Sequence, residues 1–329
     1  MWKASMTDFI FITANDIHIS DNGPRSRIDN FKETMLNKIA QMRTACNKLN
    51  ADAAIIAGDL YNLKDPARNS HRLNQELINE FKQFDCPIYM IEGNHDLTAN
   101  RLESLKKQAL GVLFADKTLI QLRHEIIEKN GKKVSIVGVP YTENLDLTTL
   151  DIPKKEDCIS QICVMHLYAG LKPGFLYKER LYGYNELAQM SPNIFVLGHY
   201  HADQGIYKEN DKYFVNIGSM SRGVLSEDSL DHHPQIAYIK ISVNNNKVSY
   251  QLQPIKLKIK PCHEIFDLKK REEEIKETKE IESFVEKLVS ETIEKSKDKS
   301  IENFISKLDI TQTVRDKVMH FIQEATAKK

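Results

Sequence analysis

The order of apolar and polar residues predicts alternating strands and helices over most of the chain. Seven short apolar runs have the length and β-branched content of buried strands, at 9–13, 53–57, 88–91, 134–139, 159–165, 194–197 and 213–217. Two segments between the first three runs, 31–49 and 69–84, carry apolar residues every three or four positions, as amphipathic helices do. Strand, helix, strand, helix, strand is the order of a layered α/β fold.

The pattern changes after residue 241. Positions 248–259 alternate between apolar and polar residues, which predicts an edge or hairpin strand. From residue 264 onward the chain has no glycine, is rich in Lys and Glu, and carries three apolar stripes at helical spacing between 281 and 322. We therefore expect one main domain over 1–262 and a mainly helical segment over 263–329.

Charge and cysteine content indicate the protein's surroundings. The 46 Lys and Arg residues balance 46 Asp and Glu residues, so attraction to nucleic acid or membrane would need a local basic surface. The five cysteines are scattered and odd in number, which argues against a disulfide framework and favours a reducing compartment. Neither a signal core nor a run near ~20 apolar residues occurs. We therefore expect a cytoplasmic protein that makes no membrane contact.

Five of the predicted strands are followed by carboxylate, amide or imidazole side chains. Open α/β sheets bind ligands at the carboxyl ends of their strands. Oxygen and nitrogen donors without a thiolate suit Mn, Fe or Zn better than a soft metal. The candidate metal ligands are Asp16, His18, Asp59, Asn94, His166, His199 and His201.

The spacing of these residues suits a pair of metal ions. A carboxylate such as Asp59 has two oxygens and can bridge two cations. Asp16 and His18 are one residue apart on extended chain, so they point the same way and can hold one ion together. Each motif alone is commonly an ordinary loop feature. Five of them in this order, each at a strand end, predict a two-metal centre.

This series resembles the calcineurin-like metallophosphoesterase superfamily over residues 9 to about 223. The resemblance implies a four-layer α/β/β/α sandwich that hydrolyses phosphoesters with two divalent metal ions, with Mn expected first and Mg, Fe or Zn as alternatives. It implies one ion on the first ligand set, Asp16, His18, Asp59 and His201. It implies the other ion on the second ligand set, Asp59, Asn94, His166 and His199.

Two residues beside Asn94 are candidates for catalysis. His95 is spare in the ligand count, and the resemblance favours a role as the general acid that protonates the leaving group. Asp96 is expected to fix the tautomer and orientation of His95. The alternative is that His95 is simply a neighbour of a ligand.

Three further stretches resemble the double-strand-break repair nucleases of the SbcD and meiotic-recombination-eleven type. They are the 58–61 stretch followed by Pro66, the apolar helical spacing within 93–114, and the 216–222 block. This resemblance implies hydrolysis of DNA phosphodiesters in repair or recombination, by an exonuclease or an endonuclease. Asn62 departs from that family, some of whose members have His or Asp there. The candidate DNA-binding residues are Arg25, Arg27, Asn62, Arg101 and Arg222.

The nuclease resemblance also implies partners. It assigns 93–114 to a homodimer interface, for which the alternative is ordinary core packing. It assigns the segment 263–329 to capping and to docking on the coiled coil of an SMC-like ABC ATPase subunit of the SbcC type. Packing of the first apolar stripe back on the main domain is the alternative.

Two rival functions remain open. The first is a stand-alone phosphatase or cyclic-nucleotide phosphodiesterase with the same metals, because a fold does not choose a substrate. The second is a metal-bound scaffold that binds DNA ends or the ATPase without turnover.

Overall fold

The computed structural model describes residues 6–270 apart from 151, 153–156, 177–178, 224, 226–229 and 246, together with residues 272, 276 and 281. The chain divides into two compact units, Met1–Phe266 and Asp267–Lys329. The amphipathic stripes that the sequence predicts after residue 281 lie outside the described residues.

The first unit is built mainly from strands. In chain order the strands are β1 (Thr7–Ala14), β2 (Ala53–Ile56), β3 (Ile88–Met90), β4 (Ile120–Gln121), β5 (His124–Lys129), β6 (Lys132–Val139), β7 (Ser160–His166), β8 (Ala169–Gly170), β9 (Gly174–Leu176), β10 (Glu179–Gly183), β11 (Ile194–Gly198), β12 (Gly205–Glu209), β13 (Lys212–Asn216), β14 (Gln235–Asn244) and β15 (Lys247–Lys256). The helices are α1 (Phe31–Leu49), α2 (His71–Phe81), α3 (Ala109–Ala115), α4 (Tyr184–Leu187) and α5 (Cys262–Ile265).

The strands form two six-stranded sheets and one small sheet. The first sheet has the order β15-β14-β1-β2-β3-β4, and the second has the order β12-β13-β11-β7-β6-β5. β8, β10 and β9 form the small sheet. The strands β1, β2, β3 and β4 run parallel, as do β6, β7, β11 and β13. Their carboxyl ends therefore lie together at one edge of each sheet.

The two large sheets pack face to face, because alternate residues of each strand point to opposite sides. Phe9 and Phe11 of β1 lie in an apolar cluster with Ile162 and Val164 of β7. Ile12, on the opposite side of β1, belongs instead to the cluster formed with α1, α2 and α3. The predicted α/β fold class with two stacked sheets is confirmed. On the outer face of the second sheet, however, the only described helix is the single turn α4.

The first helix forms as its sequence predicts. Asn30 caps α1 by accepting a hydrogen bond from the Glu33 amide at 3.2 Å. Asn50 ends the helix in a left-handed conformation with φ 49°. Met35 and Ile39 lie on its buried face. The predicted range 31–49 is confirmed, and α2 is shorter than the predicted 69–84.

The segment 93–114, whose apolar residues are at helical spacing, does not form one continuous helix. A 3₁₀ helix at Leu102–Lys107 is followed by Gln108 in an extended conformation, φ −96° and ψ 157°, and only then by α3. The extended residue breaks the i→i+4 hydrogen-bond pattern, so the apolar spacing is divided between two short helices. Leu102 is 38% exposed and Val112 is 48% exposed.

Candidate metal centre

The predicted metal ligands meet at the carboxyl ends of the parallel strands. β1 leads to Asp16 and β2 leads to Asp59. In the second sheet His166 ends β7 and pairs with Gly198 at the end of β11, so His199 follows directly beside it. Residues more than 100 positions apart in sequence are therefore brought to one edge.

The structure groups these ligands into two sets that share one residue. Ligand atoms of Asp16, His18, Asp59 and His201 all lie within 4.8 Å of one another. Ligand atoms of Asp59, His166 and His199 do the same. Asn94 joins the second set, since its Oδ1 lies 3.2 Å from His166 Nε2. All seven predicted residues thus converge, with Asp59 common to both sets.

The environment of Asp59 fits a bridging ligand. Its Oδ1 accepts a hydrogen bond from the His95 amide at 2.7 Å. Its Oδ2 is buried, lies 3.3 Å from His166 Nε2 and 3.5 Å from His18 Nε2, and accepts no hydrogen bond from the described residues. A buried carboxylate oxygen without a partner is costly. Divalent cations between this oxygen and the two imidazoles would offset that free-energy cost.

Charge states in the site suit metal binding. Burial opposes ionisation of Asp59, but the imidazoles of His166 and His18 outweigh it and hold the pKa of this carboxyl group well below its usual range. Burial lowers the pKa of His18 and that of His199. An ionised Asp59 beside neutral His18 and His199 is the form in which these three groups bind divalent metals.

Two imidazoles of the first set approach each other closely. His18 Nε2 lies 3.0 Å from His201 Nε2, and the rings meet at an interplanar angle of 72°. Lone pairs of two neutral rings repel at this distance unless a proton or a cation lies between them. This contact therefore fits a shared metal ion.

His166 shows how the protein selects the nitrogen that binds a metal. Its Nδ1 donates a hydrogen bond to the Ala57 carbonyl oxygen at 2.7 Å, so Nε2 is the nitrogen left for an ion. That Nε2 faces Asn94 and Asp59. Burial opposes protonation of the ring, but Asp59 and Asp16 outweigh it and raise the pKa of His166 to about 9. An ion that binds Nε2 would therefore displace a proton from it.

Four of the ligands sit on strained backbone. The φ angles of Asp16, His18, Asp59 and His199 are 49°, 50°, 53° and 81°. Each such conformation costs a residue other than glycine about 1–3 kcal/mol, and these conformations cluster at functional sites. The surrounding loops therefore hold these side chains against a local energy cost.

Two glycines that precede ligands have no room for a side chain. Gly58 has φ +90°, and a Cβ there would lie 2.3 Å from His166 Nδ1. A Cβ on Gly93 would lie 2.1 Å from Asp59 Oδ1. Both glycines are therefore needed for the close approach of their loops to the ligands.

His95 lies at the rim of the site. It is half-buried, and its Nδ1 lies 2.9 Å from the Asn62 carbonyl oxygen. Its ring meets that of His18 edge-on, with 4.7 Å between centroids. A hydrogen bond from Nδ1 to Asn62 leaves Nε2 available to exchange a proton with a substrate.

Asp96 has a different role from the predicted one. Its Oδ1 accepts hydrogen bonds from the Leu60 and Tyr61 amides, both at 3.1 Å, and its Oδ2 accepts one from the Gly93 amide at 3.0 Å. These bonds join the loop after β2 to the loop after β3. The group that orients His95 is the Asn62 carbonyl, which corrects the prediction for Asp96.

Two predicted DNA contacts are inside the protein. The Arg27 side chain is 1% exposed and donates to both oxygens of Asp29 at 2.7 Å. Arg222 is 4% exposed and donates to the Lys260 carbonyl at 2.6 Å. A guanidinium group with buried protein partners is not available to a phosphate. This corrects the prediction for Arg27 and Arg222.

The other predicted contacts are accessible. Arg25 and Arg101 are exposed, and Asn62 is half-buried. Arg25 and Asn62 line a cavity of about 560 Å³ whose other residues include Arg68. Arg68 follows Pro66 in the same loop as Asn62 and is not among the residues predicted from the sequence. We call this space the arginine cavity.

Among the residues that the structure describes, no helix combines the length and the apolar character that a membrane span needs.

The solved structures to which this chain is similar come from several organisms. TT1561 of Thermus thermophilus is 12% identical, with 74% of this chain and 99% of that chain covered at a TM-score of 0.41. A dimetal phosphatase from Danio rerio is 11% identical, with coverage of 74% and 98% and a TM-score of 0.46. Vacuolar Protein Sorting 29 from Cryptosporidium parvum is 12% identical, with coverage of 76% and 99% and a TM-score of 0.33.

The family model described as calcineurin-like phosphoesterase matches residues 11–216, which is more than half of the chain. This range contains both ligand sets and both large sheets except for β14, β15 and the start of β1. The chain belongs to the calcineurin-like phosphoesterase family.

Proposed function

We propose that this protein is a two-metal-ion hydrolase of phosphoesters. The observation that carries the proposal is the pair of ligand sets that share Asp59, whose Oδ2 is buried without a hydrogen-bond partner among the described residues. The first ligand set would hold one divalent ion and the second would hold the other, with Mn as the expected metal. Bound divalent ions supply Lewis acidity and an activated water for attack on phosphorus.

The protein side chains would provide proton transfer and orientation. His95 keeps Nδ1 on the Asn62 carbonyl, so its Nε2 can deliver a proton to the leaving alkoxide. Its half-buried position lets a substrate reach the ring. The Ala57 carbonyl holds His166 in one orientation and keeps its Nε2 directed at Asp59.

Hydrolysis of small esters tests this proposal directly. Purified protein is assayed with Mn, Mg, Fe or Zn on para-nitrophenyl phosphate and on bis-para-nitrophenyl phosphate. We expect metal-dependent release of nitrophenolate, and its loss in Asp59→Ala prepared in the same way, which controls for a contaminating hydrolase. A protein that binds two ions but hydrolyses neither ester, nor DNA, would favour the scaffold alternative.

A stand-alone phosphatase or cyclic-nucleotide phosphodiesterase needs only the groups described above. Family membership and the complete ligand sets support this class without any further assumption. Under this proposal the protein hydrolyses small esters at full rate in the absence of a partner.

The arginine cavity favours a second candidate, a nuclease. Arg25 and Arg68 line it together with Asn62, whose carbonyl contacts His95. Two cations in a cavity that shares Asn62 with the proposed general acid suit the phosphates that flank a scissile bond in a polynucleotide. Together with the sequence resemblance, this cavity supports cleavage of DNA in repair or recombination, within a complex that includes an SMC-like ABC ATPase.

Charge removal in the cavity separates the two candidates. For a nuclease, Arg25→Ala combined with Arg68→Ala should slow cleavage of linear DNA and flatten its salt dependence, while hydrolysis of bis-para-nitrophenyl phosphate is unchanged. Arg72→Ala is the matched control, because Arg72 is 80% exposed and pairs with Glu76 on α2. Activity on the small ester without DNA cleavage by the wild type favours the stand-alone enzyme.

A homodimer is proposed through the segment 93–114. The exposed side chains of Leu102 and Val112 support it, since they leave apolar area uncovered in the single chain. Light scattering of the purified protein should give twice the mass of the chain. Leu102→Glu combined with Val112→Glu should return it to the monomer mass.

A further inference from the structure

One polar contact to the second ligand set belongs to no motif. Glu179, the first residue of β10, places its Oε1 3.2 Å from Nε2 of His199. The Glu179 side chain is 28% exposed, whereas that of His199 is 8% exposed. The contact therefore joins a residue near the surface to a buried metal ligand.

We propose that Glu179 is a positioning residue, which accepts a hydrogen bond from Nε2 of His199 and thereby presents Nδ1 of that ring to the second ion. The inference rests on the proposed function only in requiring that the second ligand set binds a metal. His166 supplies the precedent within the same set, since an oxygen on its Nδ1 leaves its Nε2 for the ion. The two rings would therefore bind through opposite nitrogens.

Packing alone does not select the nitrogen of His199. The ring of Tyr168 lies 4.1 Å from that of His199, and the ring of Tyr141 lies 5.2 Å from it, centroid to centroid. These contacts restrict the plane of the imidazole. A 180° flip of the imidazole keeps the same plane and exchanges its two sides, so a directional hydrogen bond is needed to choose between them.

Glu179 is placed to orient a ligand rather than to act as one. Among the described residues, the group of atoms within mutual reach of a second ion comprises Asp59, His166 and His199 without Glu179. Glu179 also faces Tyr141, since burial together with the charge of Glu179 raises the pKa of that tyrosine.

Metal binding measured without catalysis tests the inference. Glu179→Ala removes the acceptor, Glu179→Gln keeps an acceptor oxygen, and Glu143→Gln is the matched control, because it removes an exposed charge that also faces Tyr141. Titration calorimetry with Zn should show a loss of about 10- to 100-fold in affinity for one of the two ions in Glu179→Ala. Glu179→Gln should recover most of it, and Glu143→Gln should match the wild type.

Nitrogen NMR of the zinc-loaded wild type gives an independent readout. We expect His199 to be bound through Nδ1 and protonated on Nε2, and circular dichroism to show that each variant folds. Zinc on Nε2 of His199, unchanged affinity in Glu179→Ala, or equal losses in Glu179→Ala and Glu179→Gln would overturn the inference. A wild type that binds two ions with the expected tautomer but hydrolyses no ester would instead contradict only the proposed function.

Discussion

At the scale of single residues, Asp59 differs from the other ligands because it belongs to both sets. Asp59→Ala should therefore weaken both ions, whereas His201→Ala should weaken one and leave the other. The measurement is metal stoichiometry after gel filtration in limiting Mn, with the fold checked by circular dichroism. Retention of two ions by Asp59→Ala would show that this carboxylate does not bridge them.

His95 is expected to act on the leaving group, and this has a kinetic signature. His95→Ala should slow hydrolysis of an alkyl phosphodiester by about 10²–10⁴-fold. The same change should have a small effect on para-nitrophenyl esters, because nitrophenolate leaves without a proton. Rate constants for the two substrates at equal metal occupancy measure the difference. Equal losses on both substrates would argue against a general acid.

The sequence predicts the ligands better than it predicts their supports. Asp16 and His166 can be recognised because each follows an apolar run, and parallel strands bring their carboxyl ends together. The backbone amides that bind Asp96 belong to two different loops, so this contact depends on how the loops pack. Glu179 lies on β10 and belongs to no sequence motif. From the sequence, Arg27 is predicted to be an accessible residue of a loop, and only the folded structure shows that its guanidinium group donates to Asp29.

At the scale of elements, Asp96 ties the loop after β2 to the loop after β3 through three backbone amides. Asp96→Asn replaces one acceptor oxygen with an NH₂ group, which then faces an amide donor. We expect a loss of about 1–3 kcal/mol in the free energy of unfolding and weaker binding of both ions. Urea denaturation measures the first quantity, with the exposed Asp211→Asn as control. Unchanged stability would show that these three hydrogen bonds do not stabilise the fold.

The ion pair that precedes α1 should make stability depend on acid pH. Burial opposes ionisation of Asp29, but hydrogen bonds from Arg27 and Thr34 outweigh it and lower its pKa below 3.8. A lowered carboxyl pKa stabilises the fold above the unfolded pKa, and this contribution disappears as pH falls through the folded pKa.

Asp29→Asn tests that dependence. It should destabilise the protein by about 3 kcal/mol at pH 7, because it leaves the buried Arg27 without a charged partner. The difference between variant and wild type should be constant above about pH 5 and should shrink below about pH 3.8. Urea titrations across this range measure it. A difference that does not change with pH would mean that Asp29 is not ionised in the folded protein.

Strand periodicity explains which elements the sequence reveals. β7 and β11 are buried at every position and read as continuous apolar runs. β5 alternates exposed and half-buried residues, including His124 and Glu128, and it joins the second sheet through backbone pairing with β6. Such edge strands lack an apolar run, so the sequence pattern does not predict them and only the backbone pairing in the folded sheet locates them.

At the scale of the whole molecule, the candidate metal centre belongs entirely to the first compact unit. All seven predicted ligands lie between Asp16 and His201, and Met1–Phe266 forms a unit distinct from Asp267–Lys329. The division between the two units falls after Phe266. The proposed catalytic role and the proposed partner-binding role can therefore be tested separately.

Removing Asp267–Lys329 is the experiment that separates them. A chain that ends at Phe266 keeps both large sheets and both ligand sets. Since a compact unit with its own core can fold alone, we expect it to bind two Mn ions and to hydrolyse bis-para-nitrophenyl phosphate as the full chain does. Under the nuclease proposal, it should no longer co-purify with a co-expressed SMC-like ABC ATPase. Retained co-purification would place the docking surface on the first unit, and lost metal binding would show that this unit needs the remaining chain to fold.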